Sequence, residues 1–148
     1  MLRKCVSGVT LLLITFGLGF WAGRGTTVNA QSKNRVFELR IANLENKEKL
    51  NVLMNRFRGG EVKIWERLGM KGVGFWVPIE GTKTQLIYIL AHKSKEAAGE
   101  SFGAFRTDPD WVKAKEDSEK KAGGSLTEGG MAGVQSVFMN PTDYSQTK

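Results

Sequence analysis

From Arg35 onward the chain runs through a fixed succession of hydrophobic periods. A period-two run comes first, then a long run of period 3.6, two short strand-like runs joined by a turn, a second helical stretch, and a final strand-like run. Strand, helix, strand, strand, helix, strand is the order of a split βαβ unit. It predicts an α+β fold: one antiparallel sheet of βαββαβ connectivity with its helices on one face.

The segments read as follows. Residues 35–41 alternate, with Phe37, Leu39 and Ile41 on one side and Glu38 and Arg40 on the other, as in a strand with one face in a core. From Lys47 the stripe Leu50, Leu53, Met54, Phe57, Ile64, Leu68 predicts one long helix, softened at Gly59-Gly60 and stopped at Gly69. Strands are expected over 72–78 and 85–92, joined by the turn Glu80-Gly81-Thr82-Lys83. Ser94 is placed to cap the second helical stretch, whose apolar side carries Ala98, Phe102 and Phe105. Asp108-Pro109-Asp110-Trp111 restarts it with an Asp cap and Pro at the first helical position, so Asp108 reads as a cap and Trp111 as a packing residue. The glycine-rich stretch from Gly123 to Gly133 reads as a mobile loop, and 134–139 as the last strand. That loop lacks the Gly-Lys-Ser/Thr ending of a phosphate cradle.

Residues 1–30 carry the marks of an export leader. Arg3 and Lys4 precede an uncharged run from Cys5 to Gly23, and Val28-Asn29-Ala30 suits signal peptidase. Cleavage after Ala30 would leave residues 31–148 as one domain in the periplasm or outside the cell; an uncleaved membrane anchor over 5–23 is the alternative. Cys5 is the only cysteine, so the exported body has no disulfide or thiolate and depends on a packed core. Its net charge is +4, since Arg3, Lys4 and Arg24 account for three of the +7 of the whole chain. The remaining charges alternate in sign along helices, and no one-signed stripe with interleaved aromatics appears, which argues against nucleic-acid binding.

A sheet with helices on one face leaves the other to be covered. On the alternation alone, Ile87, Ile89 and Ala91 are assigned to the helix side. Glu38, Arg40, Trp76, Tyr88 and His92 are assigned to the bare side, half apolar and half polar. Covering such a face predicts a homodimer, two sheets meeting in a closed or nearly closed barrel.

Five stretches taken together, 35–40, 74–78, 86–92, 104–111 and 136–144, resemble the NIPSNAP family in order and spacing across nearly all of the exported chain. The resemblance implies a dimeric α/β-barrel of the ferredoxin-like superfamily, which also holds small monooxygenases and haem enzymes. The family has no settled biochemical activity. Relatives often carry histidines near the middle and end of the first helix, where this chain has Gly60 and Leu68.

No motif for a nucleophile and its base occurs, and no catalytic residue, metal ligand set or cofactor is assigned. The candidate ligand-binding residues are Glu38, Arg40, Trp76, Tyr88 and His92. Each has a structural alternative. His92, the only histidine, is a candidate base or axial haem ligand, or else a polar residue closing the sheet; alone it cannot build a first-row metal site. Glu38 and Arg40 either orient a polar ligand or pair with each other to fix register. Trp76 and Tyr88 either line an apolar pocket or fill the dimer core. Three functions stay open: a small-ligand binder working inside a dimeric barrel, a monooxygenase-like or haem-dependent enzyme using the barrel interior, and a protein interaction module.

Overall fold

The computed structural model describes residues 35–148; the leader, the cleavage site and the alternative anchor lie outside them. The βαββαβ order is realised. The strands are β1 (Val36–Leu44), β2 (Lys71–Trp76), β3 (Thr84–His92) and β4 (Gln135–Met139), in one four-stranded antiparallel sheet of order β2-β3-β1-β4. β1 and β3 are the inner pair and run together along their whole length, from Val36 opposite His92 to Leu44 opposite Thr84.

The helices begin and end where local chemistry directs. Asn46 Oδ1 accepts from Lys49 N at 2.9 Å to open α1 (Lys47–Arg56), and Ser94 Oγ accepts from Ala97 N at 3.1 Å to open α3 (Lys95–Thr107). Asp108 caps α4 (Pro109–Ala122) by accepting from the backbone N–H groups of Asp110 and Trp111, and Gly123 closes it in the left-handed conformation. Phe105 stacks on Trp111 at 4.3 Å across the joint between α3 and α4, so both are packing residues as expected.

The first helical stretch is not one uniform helix. Between α1 and α2 (Val62–Arg67) a π-turn, Phe57–Glu61, inserts one residue, with Gly60 at φ 150°. A π-turn advances the side-chain phase. The expected inward residues Phe57, Ile64 and Leu68 keep their contact with the core, and Glu61 and Trp65 join them there. Trp65 lies edge-on to Phe57 at 4.8 Å and stacked on Tyr88 at 5.5 Å.

The stretch after α4, expected to be a mobile loop, is folded onto β1. Leu126 is buried, Glu128 N donates to Asn43 O at 2.9 Å, and Thr127 Oγ1 donates to Gly130 O at 2.7 Å ahead of a 3₁₀ turn, Gly130–Gly133. A Cβ at Gly133 would overlap the Glu128 carbonyl, so the close approach requires that glycine.

The two faces of the sheet are the reverse of the sequence assignment. Ala42, Leu44, Leu86, Tyr88 and Leu90 pack against α1, α2 and α3, which places Glu38, Arg40 and His92 on the helix side with them. Leu39, Ile41, Ile87 and Ile89 lie on the open side, each partly exposed, with Val137 and Trp76. Alternation separates two faces but carries no label for which one meets the helices. Here the more uniformly aliphatic face is the one left without helices.

Candidate functional site

Four of the five candidate residues meet in one network between sheet and helices. Glu38 and Arg40 share a face of β1; Tyr88 stands opposite Arg40 on β3, and His92 lies on the same face two pairs further along. Glu38 Oε1 accepts from Arg40 Nη1 at 2.7 Å and from Ser136 Oγ of β4 at 2.6 Å, while Oε2 receives His92 Nε2 at 3.0 Å. Arg40 Nε donates to Tyr88 Oη at 3.1 Å, and its guanidinium lies 4.5 Å from the centre of the Phe102 ring on α3. Glu38 is 2 % exposed. Burial pushes its carboxyl up, but hydrogen bonds from His92 and Ser136 and the charge of Arg40 outweigh this and hold it below its ordinary value. Tyr88 is pushed up to about 12, chiefly by burial.

Trp76 is not part of this network. It pairs with Ile87 on the open face, 51 % exposed, its ring folded back over Gly74, where a Cβ would overlap it. His92 is walled in: its side chain is 1 % exposed, Nε2 is held by Glu38, and the ring sits 6.0 Å from that of Phe102 and 6.1 Å from that of Phe138. Its Nδ1 is buried without a hydrogen-bond partner, so neither ring nitrogen is open to a haem from solvent. Among the described residues no cluster of His, Cys, Asp or Glu is arranged to hold a metal ion.

A second buried carboxylate escaped sequence reasoning. Glu61, the last residue of the π-turn, is 3 % exposed, and its Oε2 accepts from Arg56 Nε at 2.8 Å. Burial pushes its carboxyl up to about 7 in spite of Arg56. Arg56 reaches on to Ser118 Oγ at 3.2 Å and lies 4.7 Å from the Trp111 ring centre, tying the turn to α4. Glu61 shares a small enclosed cavity of about 40 Å³ with Arg40, Arg56, Tyr88 and Trp65, whose buried indole N–H has no hydrogen-bond partner. The available sequence signal was a glutamate at i+4 between Phe57 and Trp65, just after two glycines that break helical phase.

Arg40, Phe102, Met131 and Val134 separate this cavity from a larger groove of about 640 Å³, open to solvent between α3 and β4. Lys95, Arg106 and Phe138 also line it, with Glu38 and Ser136 at its base. The arrangement can seat a small molecule against Phe102 and Phe138 and present fixed polar groups to it.

Solved structures share this fold at low identity. A NIPSNAP family protein of unknown function from Agrobacterium tumefaciens is 17 % identical, with a TM-score of 0.63 over 78 % of this chain and 95 % of its own. An uncharacterised NIPSNAP domain protein from Burkholderia xenovorans is 15 % identical, TM-score 0.59, covering 74 % and 97 %. A protein from an uncultured marine organism, described as dimeric and ferredoxin-like, is 10 % identical, TM-score 0.51, covering 80 % and 96 %. A search of curated proteins finds no match. The NIPSNAP family profile matches residues 37–146. By that match over most of its length, the chain belongs to the NIPSNAP family.

Proposed function

We propose that this protein binds a small molecule in the groove between α3 and β4, working as an exported homodimer. The observation that carries the reading is the Glu38–Arg40–Tyr88–His92 network, desolvated on the helix side and opening at Arg40 into a groove of ligand size. Burying an ion pair does little for stability compared with apolar packing. Such a network beside an open groove therefore fits recognition better than it fits core building.

The homodimer rests on the open sheet face. Leu39, Ile41, Ile87 and Ile89 form an aliphatic band across β1 and β3, extended by Trp76 and Val137, and the apolar character of β3 on both faces suits a strand covered on both sides. Export rests on the leader read in residues 1–30.

Native mass spectrometry of the purified protein tests the reading. A dimer with one small molecule per protomer is expected. The molecule should be lost on Gly99→Trp, which fills the groove from an exposed position with no neighbour within 4 Å of a Cβ. A monomer whose groove is empty, whether or not Gly99 is replaced, counts against it. The haem-dependent alternative has its own test: the walled-in His92 predicts that haemin produces no Soret band sensitive to His92→Ala.

A further inference from the structure

We infer that the groove selects an organic anion with a flat apolar body, such as an aromatic carboxylate or sulfonate; this rests on the small-molecule reading above. Three cations, Arg40, Lys95 and Arg106, line the groove against a single carboxylate, Glu38. That carboxylate is already committed, accepting from Arg40, Ser136 and His92. Lys95 and Arg106 enter no ion pair among the described residues, although acids pair with Lys49, Lys113 and Lys115 elsewhere on the surface. The uncompensated charge in the groove is therefore positive.

The rest of the lining fits a flat ring system. Phe102 from α3 and Phe138 from β4 line the groove together with Ala98, Met131 and Val134. Lys95 Nζ lies over the Phe138 ring, 5.5 Å from its centre, which holds a cation against an aromatic surface. Lys95 opens α3 and Arg106 lies in its last turn, about 16 Å apart along the helix axis at 1.5 Å per residue. The two cations thus mark opposite ends of an apolar slot. A two- or three-ring molecule fills such a slot and leaves its charged group at either end. A volume of about 640 Å³ accommodates it.

Two fluorescent probes with the same ring skeleton separate charge from shape: 8-anilinonaphthalene-1-sulfonate and its neutral parent, N-phenyl-1-naphthylamine. The sulfonate is expected to bind at least about tenfold more tightly, with the ratio shrinking as salt screens the exposed cations. In Lys95→Gln/Arg106→Gln, both exposed positions, the preference should fall below about threefold while binding of the neutral probe and the circular dichroism spectrum stay unchanged. Each single replacement identifies the end that holds the anion. Equal binding of both probes to the unsubstituted protein, lost in Gly99→Trp, overturns the anion selectivity and leaves the small-molecule reading standing. Binding that survives Gly99→Trp, or no binding of either probe, removes the groove as a site and takes both readings with it.

Discussion

Replacing Arg40 by Met asks whether the network at the centre of the site is desolvated. Arg40 Nη1 is 2.7 Å from Glu38 Oε1 and its Nε is 3.1 Å from Tyr88 Oη. Methionine keeps much of the aliphatic stem that packs beside Phe102 but leaves the Glu38 carboxylate, 2 % exposed, with only Ser136 and His92. Breaking a buried pair by removing one partner costs about 3 to 5 kcal/mol. For a domain of this size that is a fall in Tm of about 12 to 20 °C. Removing both charges, in Glu38→Leu/Arg40→Met, is expected to cost less than Arg40→Met alone, about 1 to 3 kcal/mol, the residue being the partner that His92 Nε2 loses. Urea unfolding at neutral pH, followed by circular dichroism on the single and double variants, closes the cycle. A cost under about 1 kcal/mol for Arg40→Met is the value of a solvated pair and would refute the argument. So would single-variant costs that simply add in the double.

Glu61 predicts a pH dependence of definite sign. A carboxyl raised to about 7 in the folded state holds a proton that the unfolded chain releases near its ordinary value. Its stabilising contribution is therefore greatest below about pH 4 and is lost as pH rises to about 7, on the order of 3 kcal/mol in all. Unfolding free energies at pH 5 and pH 8 should lie closer together in Glu61→Gln than in the native chain, and an unchanged difference would sink the assignment. Glu38, whose carboxyl is held below its ordinary value, contributes with the opposite sign and only at more acid pH. Gly60→Ala, at φ 150° in the π-turn, should cost about 1 to 3 kcal/mol. Gly59→Ala, beside it with open space around a Cβ, should be neutral or stabilising by up to about 1 kcal/mol by chemical denaturation; equal effects at the two positions would contradict the turn. Ile89→Lys on the open face should shift sedimentation from dimer to monomer with the circular dichroism unchanged, and a persisting dimer would argue for another interface.

Element order was legible because each period is repeated often enough to be read locally. Residues 35–41 alternate without interruption, 86–91 form an unbroken apolar run of strand length, and Ser94 and Asp108 announce their helices by chemistry that acts within one turn. Facing was not legible. Alternation is symmetric, and only the tertiary arrangement decides that Tyr88 meets Phe57 and Trp65 while Ile87 and Ile89 look outward. Four candidate residues were nevertheless found together, because sharing a face and standing across a strand pair survive the inversion. Trp76 stands on the bare face as expected but parts from the other four through the register of β2, which shifts between Gly72 and Gly74 and sets Phe75, not Trp76, opposite Tyr88. Glu61 falls at i+4 from Phe57 on the same stripe and was passed over because the stripe was read from its apolar members alone.

The residue inserted at the π-turn also fixes how the chain can vary in length. Each residue of an α-helix turns the chain by about 100°, so losing Gly60 would swing α2 by roughly that angle about its axis. Trp65 would leave its stack on Tyr88, and Glu61 would leave Arg56. Single deletions between α1 and β2 would then fall into two classes, those past Arg67 that the loop to β2 absorbs and those at the π-turn that dismantle the aromatic core and the second carboxylate together. The turn acts as a counter of residues, and chains of this kind are expected to tolerate substitution along α2 far more readily than any change in the spacing between Phe57 and Trp65.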